Sequence, residues 1–266
     1  RAFSEVFSNG NDRTYQGKVR HNYILGVYSL YERLIQEFPD VLFESCASGG
    51  ARFDPGMLYY APQAWTSDDT DAVERIKIQY GTSYVYPLSS MGSHVSASPN
   101  HQIFRSTSLE TRGNVAYFGT FGYELDITKL TEKELEQMKE QITFMKQHRD
   151  LIQKGEFYRL ESPFKGNQAA WEVVAKDGSE GLMAYFRVRQ PIQGKLERIY
   201  FSGLEETKAY EVRECFGEKT DFGVHYGDEL MYVGFSVSDC SSGLVGVART
   251  GQGDGYSRLF HFRKVN

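Results

Sequence analysis

The chain has 266 residues, 40% hydrophobic and 24% charged, with a net charge of -5, which fits a globular protein of one large domain or two ordinary ones. The acidic balance argues against nucleic acid or an anionic membrane as partner, because neutralising phosphates takes a basic face. No apolar run approaches the roughly 18 residues needed to span a bilayer.

Three cysteines, at 46, 215 and 240, have no metal-ligand spacing and leave an odd thiol, which points to a reducing, cytoplasmic setting. The 18 Tyr and 18 Phe are an excess. Aromatic filling of β-structure is the simplest use for them, and platforms for sugars or bases are another.

In chain order, residues 1–15 are a partly apolar segment with a turn at Asn9-Gly10-Asn11-Asp12. Over 16–38, Val19, Tyr23, Val27, Leu30, Leu34 and Phe38 recur at threes and fours, the period of an amphipathic helix. Pro39 stops it. The run Val41-Leu42-Phe43 predicts a buried strand over 41–44, so helix then strand is the local order of an α/β protein.

Asp54-Pro55-Gly56 marks a turn, and 57–65 carries an apolar segment that fits a strand after a helical turn. A helix is expected over 69–80, with Asp69, Asp71 and Glu74 in its first half, where they favour the macrodipole. A third strand is expected at 83–87, followed by a polar loop over 89–101 that holds Met91, His94 and Asn100. A mixed helical segment at 103–113, a strand at 115–121 and a helix from Thr131 to about 153 complete this part.

Four strand-then-helix units are half of a (β/α)8 barrel, with the polar loops at the C-terminal ends of the strands, where barrel active sites are built. An open doubly wound sheet fits the same alternation. Neither GxGxxG nor GxxxxGK[ST] occurs, which counts against a nucleotide site.

After Gly155 the pattern changes to short β-rich runs near 171, 181, 198, 209, 230 and 258, separated by turns such as Asp177-Gly178. Runs at that spacing predict an antiparallel sandwich. The Gly- and Ser-rich stretch 238–255 reads as a loop.

The chemistry is concentrated in 41–72, VLFESCASGGARFDPGMLYYAPQAWTSDDTDA. Asp68, Asp69 and Asp71 lead into a helix, so capping and dipole complementation explain them without any function. A calcium site fits poorly, because the glycine and closing glutamate of an EF-hand loop are missing. The functional reading is that one of them, beside Trp65 and partly desolvated, protonates a leaving group as half of a glycosidase carboxyl pair. A second reading makes Cys46 a nucleophile with His94 or His101 as base. No local signature supports it, and lone cysteines at strand ends are mostly small hydrophobes.

The stretch FESCASGGARFDPGMLYYAPQAWTSDDTDAVERIKIQYGTS closely resembles the bacterial α-galactosidases of glycoside hydrolase family 36, and the likeness continues through YPLSSMGSHVSASPNHQ and FGTFGYELDIT. It covers nearly all of 1–155, with a looser match beyond. The resemblance implies α/β plus all-β architecture: the C-terminal half of a (β/α)8 TIM barrel (strands 5 to 8) over 1–155, followed by an antiparallel β-sandwich domain over 156–266.

It also implies retaining hydrolysis of terminal α-1,6-linked galactose from melibiose, raffinose and stachyose, with no metal or organic cofactor and a homotetramer when full length. Asp68 is then the general acid/base. Cys46, Ser48, Gly49 and Arg52 lie on the loop lining the galactose subsite, and Trp65 is on the wall leading to the acid. Asp69 and Asp71 are then structural, or support the acid from behind without touching substrate. Ala51 stands where the family has a third glycine, which leaves the loop shape open.

Arg1 matches the last residue of the family's Lys-Trp-Asp-x-Asn-Arg motif, which implies that the nucleophilic Asp lies three residues before the chain begins. On that expectation the chain alone is inactive and has exposed strand edges that favour aggregation. A carbohydrate-binding protein without catalysis, or a galactosyl transferase of the raffinose or stachyose synthase type, would carry the same scaffold.

Overall fold

A computed structural model describes Val6 and residues 13–191, 198–216, 221–237 and 253–265. Arg1, the turn at 9–12, Cys240 and most of the expected 238–255 loop lie outside the described residues.

Helix α1 (Arg13–Glu37) follows the apolar period and ends just ahead of Pro39. The strand expected over 41–44 is shorter: β1 is Glu44–Ser45, and Leu42 is 89% exposed. Its one partner among the described residues is β2 (Gln63–Trp65), whose three residues cannot extend the ladder back to Val41. Between them α2 (Pro55–Tyr60) starts at Asp54, which caps it by accepting from the Met57 N–H at 2.9 Å, with Pro55 at the first helical position.

Helix α3 (Ala72–Thr82) begins at Asp71 rather than at 69. The strand expected at 83–87 is absent. That segment is turn, with Tyr84 and Val85 exposed, and the third strand is β3 (Met91–Ser96), inside the stretch expected to be a polar loop. Its polarity is two-sided: Gly92 and His94 face the other strands' inward residues, while Ser93 points to the helices and donates to Gln79 Oε1 at 2.8 Å.

The next pair shifts in the same direction. Helix α4 is Leu109–Ala116, not 103–113, and β4 is Thr120–Glu124, not 115–121. Val115 and Ala116 are the buried end of a helix, and a buried helix end and a buried strand look alike in a short apolar run. Helix α5 (Glu132–Lys154) is closed by a reciprocal capping box between Thr131 and Glu134.

Strands β1 to β4 form one parallel sheet in sequence order, the arrangement of half a (β/α)8 barrel. The rest of the chain forms an antiparallel array: β5 (Glu156–Glu161), β6 (Gln168–Val174), β7 (Glu180–Arg187), β8 (Arg198–Ile199), β9 (Ala209–Glu214), β10 (Asp221–Tyr226), β11 (Phe235–Ser236) and β12 (Tyr256–Lys264). Six of these pair in the order β10-β9-β12-β7-β6-β5, and a β8-β11 ribbon supplies a second layer.

Alternate residues of the six-stranded sheet enter two cores. Trp171, Val173, Leu182, Ala184 and Phe186 pack with Val115, Phe118, Phe144 and Ile152 of the α/β part. Ala170, Met183, Tyr185, Phe260 and Phe262 pack with Ile199, Phe201 and Phe235 on the other side. Burial on both faces is why Leu182 to Phe186 reads as a continuous apolar run. The junction is also polar: Asn114 Nδ2 donates to Ser257 Oγ at 2.9 Å, and Arg159 Nε donates to Ser83 Oγ at 2.8 Å. Among the described residues no helix is long and apolar enough to cross a membrane.

One acid sits wholly inside this array. Glu172 on β6 is 0% exposed; its Oε1 accepts from the Ser202 N–H at 2.5 Å, and its Oε2 has no partner among the described residues. Burial holds its carboxyl well above the usual carboxylate range, opposed only in part by the Ser202 hydrogen bond.

A proton bound more tightly in the folded state gives a contribution that is complete below the unfolded value, about 4.3, and is lost as pH rises through the folded value. Glu172→Gln keeps the shape and the acceptor for Ser202 but has no proton to lose. Its melting temperature should therefore fall less than the parent's between about pH 5 and pH 8; parallel melting curves across that interval would contradict this.

Candidate active site

Trp65, at the end of β2, is only 8% exposed. Its ring stacks on His94 of β3 at 4.4 Å and 20°, and the Arg75 guanidinium from α3 lies 4.4 Å from it. Gly92 makes room, since a Cβ there would lie 3.0 Å from Trp65 Cε3. Trp65 thus supports the wall from behind, with its ring covered by His94 and Arg75.

Arg75 donates to Gly92 O at 2.7 Å and to Ser67 O at 3.3 Å, tying the ends of β2 and β3 together. Burial lowers its pKa to about 10, with Asp69 and Glu124 opposing, so it stays cationic at neutral pH. His94 Nδ1 is 3.4 Å from Glu124 Oε2 on β4, and Gln63 Nε2 donates to Glu44 Oε2. Glu44, Gln63, Trp65, His94 and Glu124 therefore interact across four neighbouring strands. His94 stacks on Trp65 and approaches Glu124, and His101 lies exposed in the turn after Asn100.

The loop after β1 carries Cys46, Ser48, Gly49 and Arg52 together. Cys46 is an exposed free thiol, and Ser48 is exposed. Ser48, Gly49 and Gly50 have φ of 51, 68 and 94°, three consecutive left-handed residues that turn the chain sharply. Ala51 is not in that region, so its methyl is accommodated where the family pattern has glycine. Arg52 closes the turn, donating from Nη2 to Cys46 O at 2.7 Å and from Nη1 to Tyr23 Oη at 3.2 Å.

This loop presses on the one after β2. A Cβ on Gly49 would meet Asp68 N at 2.3 Å and Ser67 Cα at 2.7 Å, while one on Gly50 would lie 3.0 Å from Thr66 O. Asp68 itself is exposed rather than partly desolvated beside Trp65, and no hydrogen bond to its carboxylate is made among the described residues.

Its neighbours are committed elsewhere. Asp69 Oδ1 accepts from the Asp71 N–H at 3.0 Å. Asp71, buried, caps α3 by accepting from the Val73 and Glu74 N–H groups and pairs with Arg105. Asp71 thus acts as a capping residue, and Asp69 closes a turn onto the Asp71 backbone.

Sequence reasoning missed Gln102. Its Nε2 donates to Asp68 O at 3.0 Å, and its Oε1 accepts from the Thr70 N–H at 3.1 Å. Buried Asn100 holds the same segment, donating from Nδ2 to Thr70 Oγ1 at 3.0 Å and accepting from the Gln102 N–H at 2.9 Å. Arg75 was missed too, although Arg75 and Gln79 four residues apart on a helix with Ile76 and Tyr80 buried signal a polar stripe turned inward. No group of three or more His, Cys, Asp or Glu side chains that could hold a metal occurs among the described residues.

Backbone atoms cannot yield to a methyl as a flexible side chain can. Gly49→Ala should cost roughly 2–4 kcal/mol of stability from overlap and left-handed strain combined. Gly17→Ala on α1, where a Cβ meets nothing within 4 Å, should be neutral or stabilising by about 0.5–1 kcal/mol. Denaturant midpoints of the two variants check this, and equal midpoints would contradict the contact.

Comparison with known proteins identifies the family. A family profile described as Melibiase matches residues 1–155, and one described as Glycosyl hydrolase family 36 C-terminal domain matches 168–262. The α-galactosidase AgaA of Geobacillus stearothermophilus is 52% identical over 245 residues, which is 92% of this chain and 33% of that protein. The α-galactosidase Mel36A of Lactobacillus acidophilus is 40% identical over 269 residues, covering 100% of this chain and 34% of that one.

A crystal structure of a variant AgaA from Geobacillus stearothermophilus in complex with raffinose superposes with a TM-score of 0.85 at 49% identity, over 98% of this chain and 34% of that one. The chain spans about a third of the length of the curated relatives it matches. With a profile match over more than half its length and one over most of the remainder, the chain belongs to the melibiase family, glycoside hydrolase family 36.

Proposed function

We propose that the protein containing this chain is a retaining α-galactosidase acting on terminal α-1,6-linked galactose of melibiose, raffinose and related oligosaccharides, with Asp68 as general acid/base. The observation that carries this reading is the setting of Asp68. It is an exposed carboxylate without a hydrogen-bond partner among the described residues, on a backbone pinned by Gly49 and Gln102, at the C-terminal end of a parallel strand. Asp69 accepts from the backbone of its own turn and Asp71 caps a helix and pairs with Arg105, which leaves Asp68 as the carboxyl free to exchange a proton with a ligand.

In the first step a carboxylate oxygen of the nucleophile, expected upstream of Arg1, bonds to the anomeric carbon. The glycosidic C–O bond breaks, and the departing oxygen takes the Asp68 proton. In the second step Asp68, now carboxylate, removes a proton from water. The water oxygen bonds to the anomeric carbon, the ester to the nucleophile breaks, and Asp68 is reprotonated. Cys46, Ser48, Gly49 and Arg52 line the galactose side of the mouth, with Trp65 as backing. The mechanism calls for no metal or organic cofactor.

The same reading divides the catalytic and β-sandwich parts at 155/156. It takes the full-length protein to be a homotetramer in the cytoplasm, a location that the free thiol of Cys46 suits.

In the full-length protein, Asp68→Ala should lower kcat/KM on raffinose by about 10²–10⁴-fold. Azide should restore turnover of p-nitrophenyl α-galactoside by attacking the galactosyl ester in place of base-activated water, giving α-galactosyl azide. Proton NMR of the parent reaction should show α-galactose as the first-formed anomer. Near-parental activity in Asp68→Ala, or β-galactose appearing first, would overturn the assignment.

A further inference from the structure

We propose that Gln102 is the positioning residue for the acid, an inference that rests on reading Asp68 as general acid/base. Because the Asp68 carboxylate makes no bond of its own among the described residues, its direction is set by the backbone that carries it.

That backbone is read on both sides of Asp69 by a single primary amide: Gln102 Nε2 donates to Asp68 O at 3.0 Å and Gln102 Oε1 accepts from the Thr70 N–H at 3.1 Å. The pair of bonds fixes the rotation of the segment as well as its distance, which one bond would not do. Gln102 is itself held, since its N–H donates to Oδ1 of buried Asn100 at 2.9 Å and the same Asn100 donates to Thr70 Oγ1 at 3.0 Å. From the opposite loop Gly49 closes on Asp68 N, so the peptide is gripped between two loops.

Gln102 and Asp68 are both exposed, so water competes for these bonds and they add little to stability. Their value lies in geometry, where a small displacement of a proton donor costs much more in rate than in folding.

The test is a series of aryl α-galactosides of one shape and graded leaving-group acidity: p-nitrophenyl, phenyl and p-methoxyphenyl. They are assayed by kcat/KM, which reports the first chemical step, on full-length parent, Gln102→Ala, Gln102→Glu and Asp68→Ala proteins. Protonation matters little for p-nitrophenolate and much for p-methoxyphenolate. Gln102→Glu keeps the size and the acceptor for Thr70 but cannot donate to Asp68 O as a carboxylate, so it decides the matter if Gln102→Ala folds poorly.

Both Gln102 variants should lose about 3-fold or less on the p-nitrophenyl substrate and about 10–100-fold on the p-methoxyphenyl one. A uniform loss across the series in Gln102→Glu, or none, overturns the positioning role. If Asp68→Ala shows graded loss while Gln102→Glu does not, this inference alone fails; if Asp68→Ala shows no gradation, the reading of Asp68 fails with it.

Discussion

Where the loop after β1 meets the loop after β2, the two backbones touch: a methyl carbon on Gly49 would sit 2.3 Å from the nitrogen of Asp68. The position of Asp68 depends on that contact. Left-handed backbone at Ser48, Gly49 and Gly50 bends the first loop down, and the Arg52 bond to Cys46 O holds the bend. The second loop is then confined between this surface and the Gln102 side chain. An acid with no side-chain hydrogen bond among the described residues has its backbone held by van der Waals contact on one side and an amide clamp on the other.

Beneath these loops the strand ends are tied by one buried cation. Arg75 reaches from α3 to the Ser67 carbonyl in the loop after β2 and to the Gly92 carbonyl of β3, and it lies against Trp65, which stacks in turn on His94. A guanidinium with several fixed donors can satisfy two such carbonyls at once. The same α/β layer shares a core with the antiparallel sheet through Val115, Phe118, Phe144 and Trp171. The C-terminal strands therefore brace the helices that carry the site loops. Asn114 and Ser257 add a buried polar registration to that contact.

The sequence is most legible where local rules act alone. The helix from 131, with its Thr and Glu three apart, lies where the capping pattern puts it, and Asp71 caps as a capping residue should. Most of the short β runs after 155 are strands, but the one near 230 is a single helical turn over Glu229–Val233, with strand only at Phe235–Ser236. Legibility fails where a strand faces other polar side chains. Met91 to Ser96 carries Gly, Ser and His because its neighbours need room for Trp65 and a hydroxyl for Gln79, so a buried strand looks like a loop. Val115 and Ala116 fail in the opposite sense, being apolar enough for a strand while closing a buried helix.

Family likeness pointed to Asp68 and the Cys46 loop as the candidate site, and it left Gln102 unmarked. Its role depends on a contact 34 positions away in sequence that no local pattern announces.

The most direct measurement is a crystal structure of the full-length protein with raffinose bound, its turnover blocked by substitution of the proposed nucleophile. The account predicts one Asp68 carboxyl oxygen at about 2.6–3.2 Å from the glycosidic oxygen, with galactose against the Cys46 to Arg52 loop. Raffinose bound with Asp68 turned to solvent, and Glu44 or Glu124 beside the glycosidic oxygen instead, would contradict it.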